Sequence, residues 1–148
     1  MTRRLIWITR ALSGAAGTAD RVRALGHEPL IQPLIELKPV ENPDVDLRGI
    51  AAIAFTSANG VRAFAQVSKE RNLKAFAVGA ATAQAARSAG FKTVLSTDGD
   101  VAALARGISA RRRELRGAVL HPGAAEPAGD LVGAMAADDV EVRPLTLY

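Results

Sequence analysis

From Ile50 onward, short apolar runs alternate with stretches of helical periodicity, and this alternation limits the possible folds more than any other feature of the chain. Ile50–Phe55 reads as a strand, and Ser57–Arg71 as a helix with Val61, Phe64 and Ala65 on one face. The pattern repeats with a strand at Ala75–Val78 and a helix at Ala81–Ala89, ended by Gly90. Next come a strand at Phe91–Leu95 and a helix at Asp100–Arg113 with Val101, Leu104 and Ile108 inward. A strand at Ala118–Leu120, a helix at Glu126–Ala137 and a closing strand at Val140–Leu147 complete the series. Strands separated by helices pair in parallel, because parallel neighbours need a crossover and the helix supplies it. The predicted class is α/β, with a parallel flavodoxin-like or doubly wound sheet.

The first 35 residues form a separate, smaller pattern. Arg4–Thr9 reads as a buried strand, Gly14 and Gly17 punctuate a turn, and Thr18–Leu25 carries Ala19, Val22 and Leu25 at helical spacing. Gly26 stands at the C′ position that tolerates a positive φ. Glu28–Leu34 reads as a second strand, with Pro29 and Pro33 pointing to an edge. A lone strand–helix–strand unit cannot bury its own faces, so it joins another sheet or finds partners elsewhere. The stretch Leu37–Leu47, with Pro39 and Pro43, reads as a linker.

Composition removes several chemistries. The 148 residues are 49% hydrophobic and 23% charged, an ordinary globular balance that excludes a disordered chain. With no cysteine, thiolate nucleophiles, iron–sulfur clusters and Cys-based zinc sites are impossible, and the two histidines, His27 and His121, lack partners at metal-ligand spacing. No apolar run approaches the ~18 residues of a membrane span, and no secretory signal is expected, so a cytoplasmic protein is the simplest reading. The net charge of +4 favours anionic partners without naming them. Arg111, Arg112, Arg113 and Arg116 form the one dense basic cluster. Its plainer reading is a solvated helix end, where cations suit the macrodipole; its functional reading is nucleic-acid binding.

In a parallel sheet the ligand crevice lies beyond the carboxyl ends of the strands. Four segments are expected at that edge: Thr9–Ala11, Thr56–Gly60, Gly79–Thr82 and His121–Gly123. Helix N-termini point there, so each suits a carboxylate or a phosphate. The plainer reading is that Ser57, Asn59 and Thr82 cap their own helices. No P-loop, dinucleotide fingerprint or nucleophile elbow occurs, and no acid pair suits glycoside chemistry. Of the two histidines, His27 reads as packing a tight connection, and His121 is the better functional candidate.

Several local patterns together resemble the uroporphyrinogen-III synthase family. They are the opening strand ending in Thr9-Arg10, the connection Ala24–Pro29, the crossover Pro33–Leu37, the segments Phe55–Val61 and Ala77–Ala83, Asp130-Leu131 and Tyr148. The resemblance implies two α/β domains with parallel, flavodoxin-like sheets, the second inserted in the first, joined by a two-stranded ladder with the active cleft between them. Residues 1–35 would then be the first half of an incomplete domain 1, and 36–148 domain 2 with crossover strands at both ends. The family's chain crosses back near Tyr148, so the expectation is a truncated chain, inactive alone.

The implied reaction converts hydroxymethylbilane into uroporphyrinogen III with loss of water and inversion of ring D, a cofactor-independent carbon–oxygen lyase step of haem biosynthesis. The resemblance implies no cofactor, no metal, no nucleic-acid or membrane partner, and a monomer at full length. Tyr148 matches the family tyrosine proposed to assist departure of the hydroxyl. Ser57 and Thr82 match substrate-binding positions, and Gly79 and Gly123 on the same edge are further substrate-binding candidates. Asn59 stands where some members carry a basic residue. Arg10 is chosen for a carboxylate contact on its position and charge. The alternative is a non-catalytic α/β module that binds an anionic small molecule.

Overall fold

A computed structural model describes residues 2–148 as two compact units, one ending at Lys38 and the other running from Pro39 to Tyr148. In the smaller unit, strand β1 (Leu5–Ile8) leads into helix α1 (Leu12–Ala24) and strand β2 (Glu28–Ile31), which pairs parallel to β1 with Trp7 opposite Leu30. Ile8, Ala15, Ala19 and Val22 pack together between sheet and helix. The other sheet face is bare: Leu5 is 62% exposed and Trp7 54%. Gly26 takes φ +79° after α1, as its C′ placement requires. Gly14 and Gly17 lie inside α1 and do not punctuate a turn, so the helix begins six residues earlier than the Thr18 start. A helical glycine costs only about 1 kcal/mol, which neighbouring contacts can outweigh.

The larger unit holds β3 (Ile50–Phe55), α2 (Ala58–Val67), β4 (Lys74–Val78), α3 (Gly79–Ser88), β5 (Val94–Thr97), α4 (Val101–Ser109), β6 (Ala118–Gly123), α5 (Leu131–Met135) and β7 (Val142–Thr146). Its five strands lie in the order β5-β4-β3-β6-β7, and every pairing is parallel. The order reverses between β3 and β6, which is where ligand crevices open in such sheets. The parallel α/β class read from the sequence is the class of the folded chain.

Alternation along the buried strands builds two cores. Ile53, Phe55, Ala75 and Leu120 face α2 and α3, while Ala52, Ala54, Phe76 and Val119 face α4 and α5. On the first face Phe55 meets Phe64 and Phe91 edge-on, with ring centroids 6.0 and 5.4 Å away. Arg71 lies over the Phe91 ring and donates to Ala89 O at 2.7 Å, tying the loop after α2 to the end of α3. Side-chain oxygens of Ser57, Asp100 and Asp130 accept from the N–H three residues on, capping α2, α4 and α5.

Several boundaries differ from the sequence reading. The helix expected over Glu126–Ala137 is only Leu131–Met135 with a 3₁₀ turn at Ala136–Asp138, since Pro127 and Gly129 precede the Asp130 cap. The helix expected from Ser57 to Arg71 ends at Val67, and the one expected to Arg113 ends at Ser109. The basic run therefore sits beyond α4, on a 3₁₀ turn at Arg112–Glu114, with Arg111, Arg112, Arg113 and Arg116 all exposed. Phe91 precedes β5 and packs as a loop residue. His121–Gly123 is part of β6, not a loop.

Candidate functional site

The site at the carboxyl edge of the larger sheet follows from unequal strand lengths. Pairing between β3 and β6 ends at Ile53–Leu120, whereas β6 stays paired with β7 through Gly123–Thr146. Residues 121–123 thus have a strand on one side and the turn from β3 to α2 on the other. Along β6 the Ala118 N–H points to the β3 side and the Val119 N–H to the β7 side, so position 122 faces β3. Pro122 falls where that pairing has stopped, and its missing N–H leaves no gap in the ladder.

The turn closes against β6 through Gly60. A Cβ at that position would stand 2.8 Å from the Pro122 carbonyl oxygen, so only glycine lets α2 begin this near β6. Two side-chain pairs cross the resulting seam. Thr56 Oγ1 lies 3.4 Å from His121 Nε2, and Ser57 Oγ lies 3.1 Å from the Tyr148 hydroxyl. Ser57 Oγ also accepts from the Gly60 N–H at 3.1 Å, so one oxygen serves as helix cap and as tyrosine partner.

Tyr148 is held from both sides. Its ring packs on the Phe55–Phe64 core, its carbonyl accepts from the Ala125 N–H, and the preceding Leu147 N–H donates to Gly123 O at 2.8 Å. Leu147 O accepts from the Val40 N–H at 2.9 Å, so the first and last segments of this unit run side by side. His121 is buried, and burial lowers the imidazole pKa below its ordinary value, which keeps the ring neutral at pH 7. A hollow of about 210 Å³ opens next to it, lined by His121, Gly123, Asp130, Pro144 and Thr146 among others.

The other residues singled out in the sequence are more scattered. Gly79 opens α3 with φ +74°, no side chain caps that helix, and Thr82 is 6% exposed on its inner face. Thr82 and Asn59 are therefore not the caps of their helices, whereas Ser57 is. Asn59 Oδ1 accepts from Arg62 on the same helix. Gly123 is buried at the end of β6 and spends its carbonyl on Leu147. Arg10 belongs to the smaller unit, where it donates to Thr18 Oγ1 at 3.0 Å. The role of Thr56 as the partner of His121 was not visible in the sequence, because it depends on β6 outrunning β3. Among the described residues no group of three or more His, Asp or Glu is placed to hold a metal ion, and no helix is long and apolar enough to cross a membrane.

Comparison with solved structures finds the same fold in two uroporphyrinogen III synthases. The wild-type enzyme of Thermus thermophilus aligns with a TM-score of 0.52 at 21% identity, covering 99% of this chain and 61% of the other. The Helicobacter pylori synthetase aligns with a TM-score of 0.60 at 18% identity, again over 99% of this chain and 61% of the other. The chain thus spans about three fifths of the length of these structures. No curated protein matches the sequence. The sequence model of Uroporphyrinogen-III synthase HemD matches residues 16–148, and the chain belongs to that family.

Proposed function

We propose that the chain is part of a uroporphyrinogen-III synthase, a cofactor-independent hydro-lyase that closes hydroxymethylbilane to uroporphyrinogen III with loss of water and inversion of ring D. The observation that carries this reading is the Ser57–Tyr148 pair at the carboxyl edge of the sheet, next to the switch in strand order. In the productive arrangement Ser57 Oγ accepts from the Gly60 N–H and donates its own proton to the Tyr148 oxygen. The phenol proton is then free for the substrate's leaving hydroxyl, which departs as water. The positive charge left behind is delocalised over the pyrrole as an azafulvenium ion. For ring D to invert, its substituted α-carbon attacks this centre and its bond to the neighbouring methylene breaks. That methylene re-bonds to the free α-carbon, whose proton then restores the phenol. Because that intermediate is well stabilised, most of the catalytic task is holding a flexible chain in one closing geometry.

The substrate's eight carboxylates need donors spread over a wide surface. The open N-terminus of α3 at Gly79, the first turn of α2 near Asn59, the Thr82 and Gly123 neighbourhoods and Arg10 are the groups proposed to meet them. Residues 1–35 are proposed as the first half of domain 1, and 36–148 as an inserted domain 2. The bare face of the smaller unit and the Val40–Leu147 hydrogen bond support this: the first wants a cover, and the second runs two crossing segments side by side. The same reading expects a cytoplasmic monomer at full length, and no turnover by these 148 residues alone.

The test is equilibrium binding of uroporphyrin III, the stable oxidised form of the product, to the chain. Saturable binding, weakened by Ser57→Ala and by Tyr148→Phe, is expected. Absence of binding, or binding indifferent to both substitutions, would refute the assignment and leave the non-catalytic anion-binding alternative or none.

A further inference from the structure

We propose that Arg10 and Arg21 form a two-guanidinium clamp for a single carboxylate, seated on Thr18 in the smaller unit. The inference rests on the synthase reading, in which Arg10 already meets a carboxylate, and adds Arg21 as its partner on the same ligand.

Both guanidinium groups converge on one hydroxyl. Arg10 Nη1 donates to Thr18 Oγ1 at 3.0 Å and Arg21 Nη2 to the same oxygen at 3.4 Å, while that hydroxyl donates onward to Gly14 O at 3.3 Å. The oxygen's two acceptor positions and one proton are thereby all in use. Two cations held on one neutral oxygen repel each other, and among the described residues no carboxylate within ion-pair distance offsets that repulsion: the nearby Asp20 is engaged by Arg23 at 2.9 Å. Each guanidinium has spent one of its five N–H donors in the contact and keeps a planar fork for a ligand. A carboxylate bridging the two forks would replace repulsion with paired charge-assisted hydrogen bonds.

The backbone is shaped for this contact. A Cβ at Gly14 would stand 2.7 Å from the Arg10 guanidinium, so a side chain at position 14 would push that guanidinium off its present seat. Arg10 reaches along α1 from the turn after β1, and Arg21 comes from the helix's last turn, so the two meet at Thr18 midway along it. Position 14 therefore links a helix-weakening residue to the seat of a ligand contact.

The experiment is a uroporphyrin III titration of the 148-residue chain, followed through quenching of its single tryptophan, Trp7. Arg10→Ala and Arg21→Ala should each raise Kd by about fivefold, as expected for exposed charge-assisted contacts. Arg23→Ala removes the same charge from the same helix outside the clamp and should leave Kd within about twofold. Gly14→Ala removes no charge and improves helix propensity, so it should weaken binding while leaving the chain as stable or more so. The clamp is overturned if the Arg10 and Arg21 variants bind like the parent, or if Arg23→Ala costs as much as they do. Loss of binding in Ser57→Ala with unchanged Arg10 and Arg21 variants would remove the clamp and leave the synthase reading standing. Failure of the parent chain to bind would remove both.

Discussion

Ser57 Oγ stands 3.1 Å from both the Tyr148 hydroxyl and the Gly60 N–H, joining residues 91 positions apart through one oxygen. The two contacts can be separated by mutation. Ser57→Ala loses both and should destabilise the chain by about 1–2 kcal/mol, combining a lost helix cap with a lost hydrogen bond. Tyr148→Phe leaves the cap and should cost about 0.5–1.5 kcal/mol. A double-mutant cycle in urea should return a coupling of about 0.5 kcal/mol or more for the pair. Strict additivity would mean that the hydroxyls do not interact.

Gly60 sets two rules against each other. Alanine in a helix is worth about 1 kcal/mol more than glycine, so propensity alone predicts stabilisation by Gly60→Ala. The Pro122 carbonyl at 2.8 Å from the new Cβ is backbone in a paired strand and cannot swing aside. Overpacking of this kind costs about 1–3 kcal/mol, so the variant should be less stable and should open the seam between α2 and β6. A rise in the denaturation midpoint would show that the close approach is not real.

His121 makes stability depend on pH. Burial lowers its folded pKa, so the unfolded chain takes up a proton first as the solution is acidified. Its stabilising contribution is complete above the unfolded value near 6.5 and is lost as pH falls from there through the lowered folded value. His121→Asn should remove that part of the slope between pH 7 and 5 in urea titrations. An unchanged slope would mean that His121 is not the titrating group.

The bare face of the smaller unit gives a spectroscopic prediction. Trp7 is 54% exposed, and its indole N–H donates to Gln32 O at 2.9 Å. In the 148-residue chain its emission should be that of a largely hydrated indole, and accessible to quenchers. When the chain is continued to the length of its solved relatives, the emission should move to the blue as the face is covered. Identical spectra would argue that domain 1 is not completed there.

Much of this architecture could be read from residues whose roles are local. The alternating apolar runs at Ile50–Phe55 and Ala118–Leu120 announced buried parallel strands, and Gly26 and Gly90 marked helix ends through their positive φ. Ser57 was legible as a cap because capping spans three residues. What escaped was non-local. Gly14 looked like a turn signal, yet it lies within α1, where a helical glycine costs only about 1 kcal/mol. The strand expected at Ala118–Leu120 continues through Pro122 to Gly123, because β7 stays paired with it after β3 has stopped. The partnership of Thr56 with His121 follows from where β3 and β6 stop pairing, which no short window of sequence encodes.

The most direct test of the central claim is formation of the type III isomer from hydroxymethylbilane, resolved from the spontaneous background, by the protein continued to the length of its solved relatives. The parent should make it, and Tyr148→Phe should lower kcat by about tenfold to a hundredfold with little change in KM, as expected for loss of a proton donor. A Tyr148→Phe enzyme with undiminished kcat, or a parent protein that adds nothing to the background, would contradict the account.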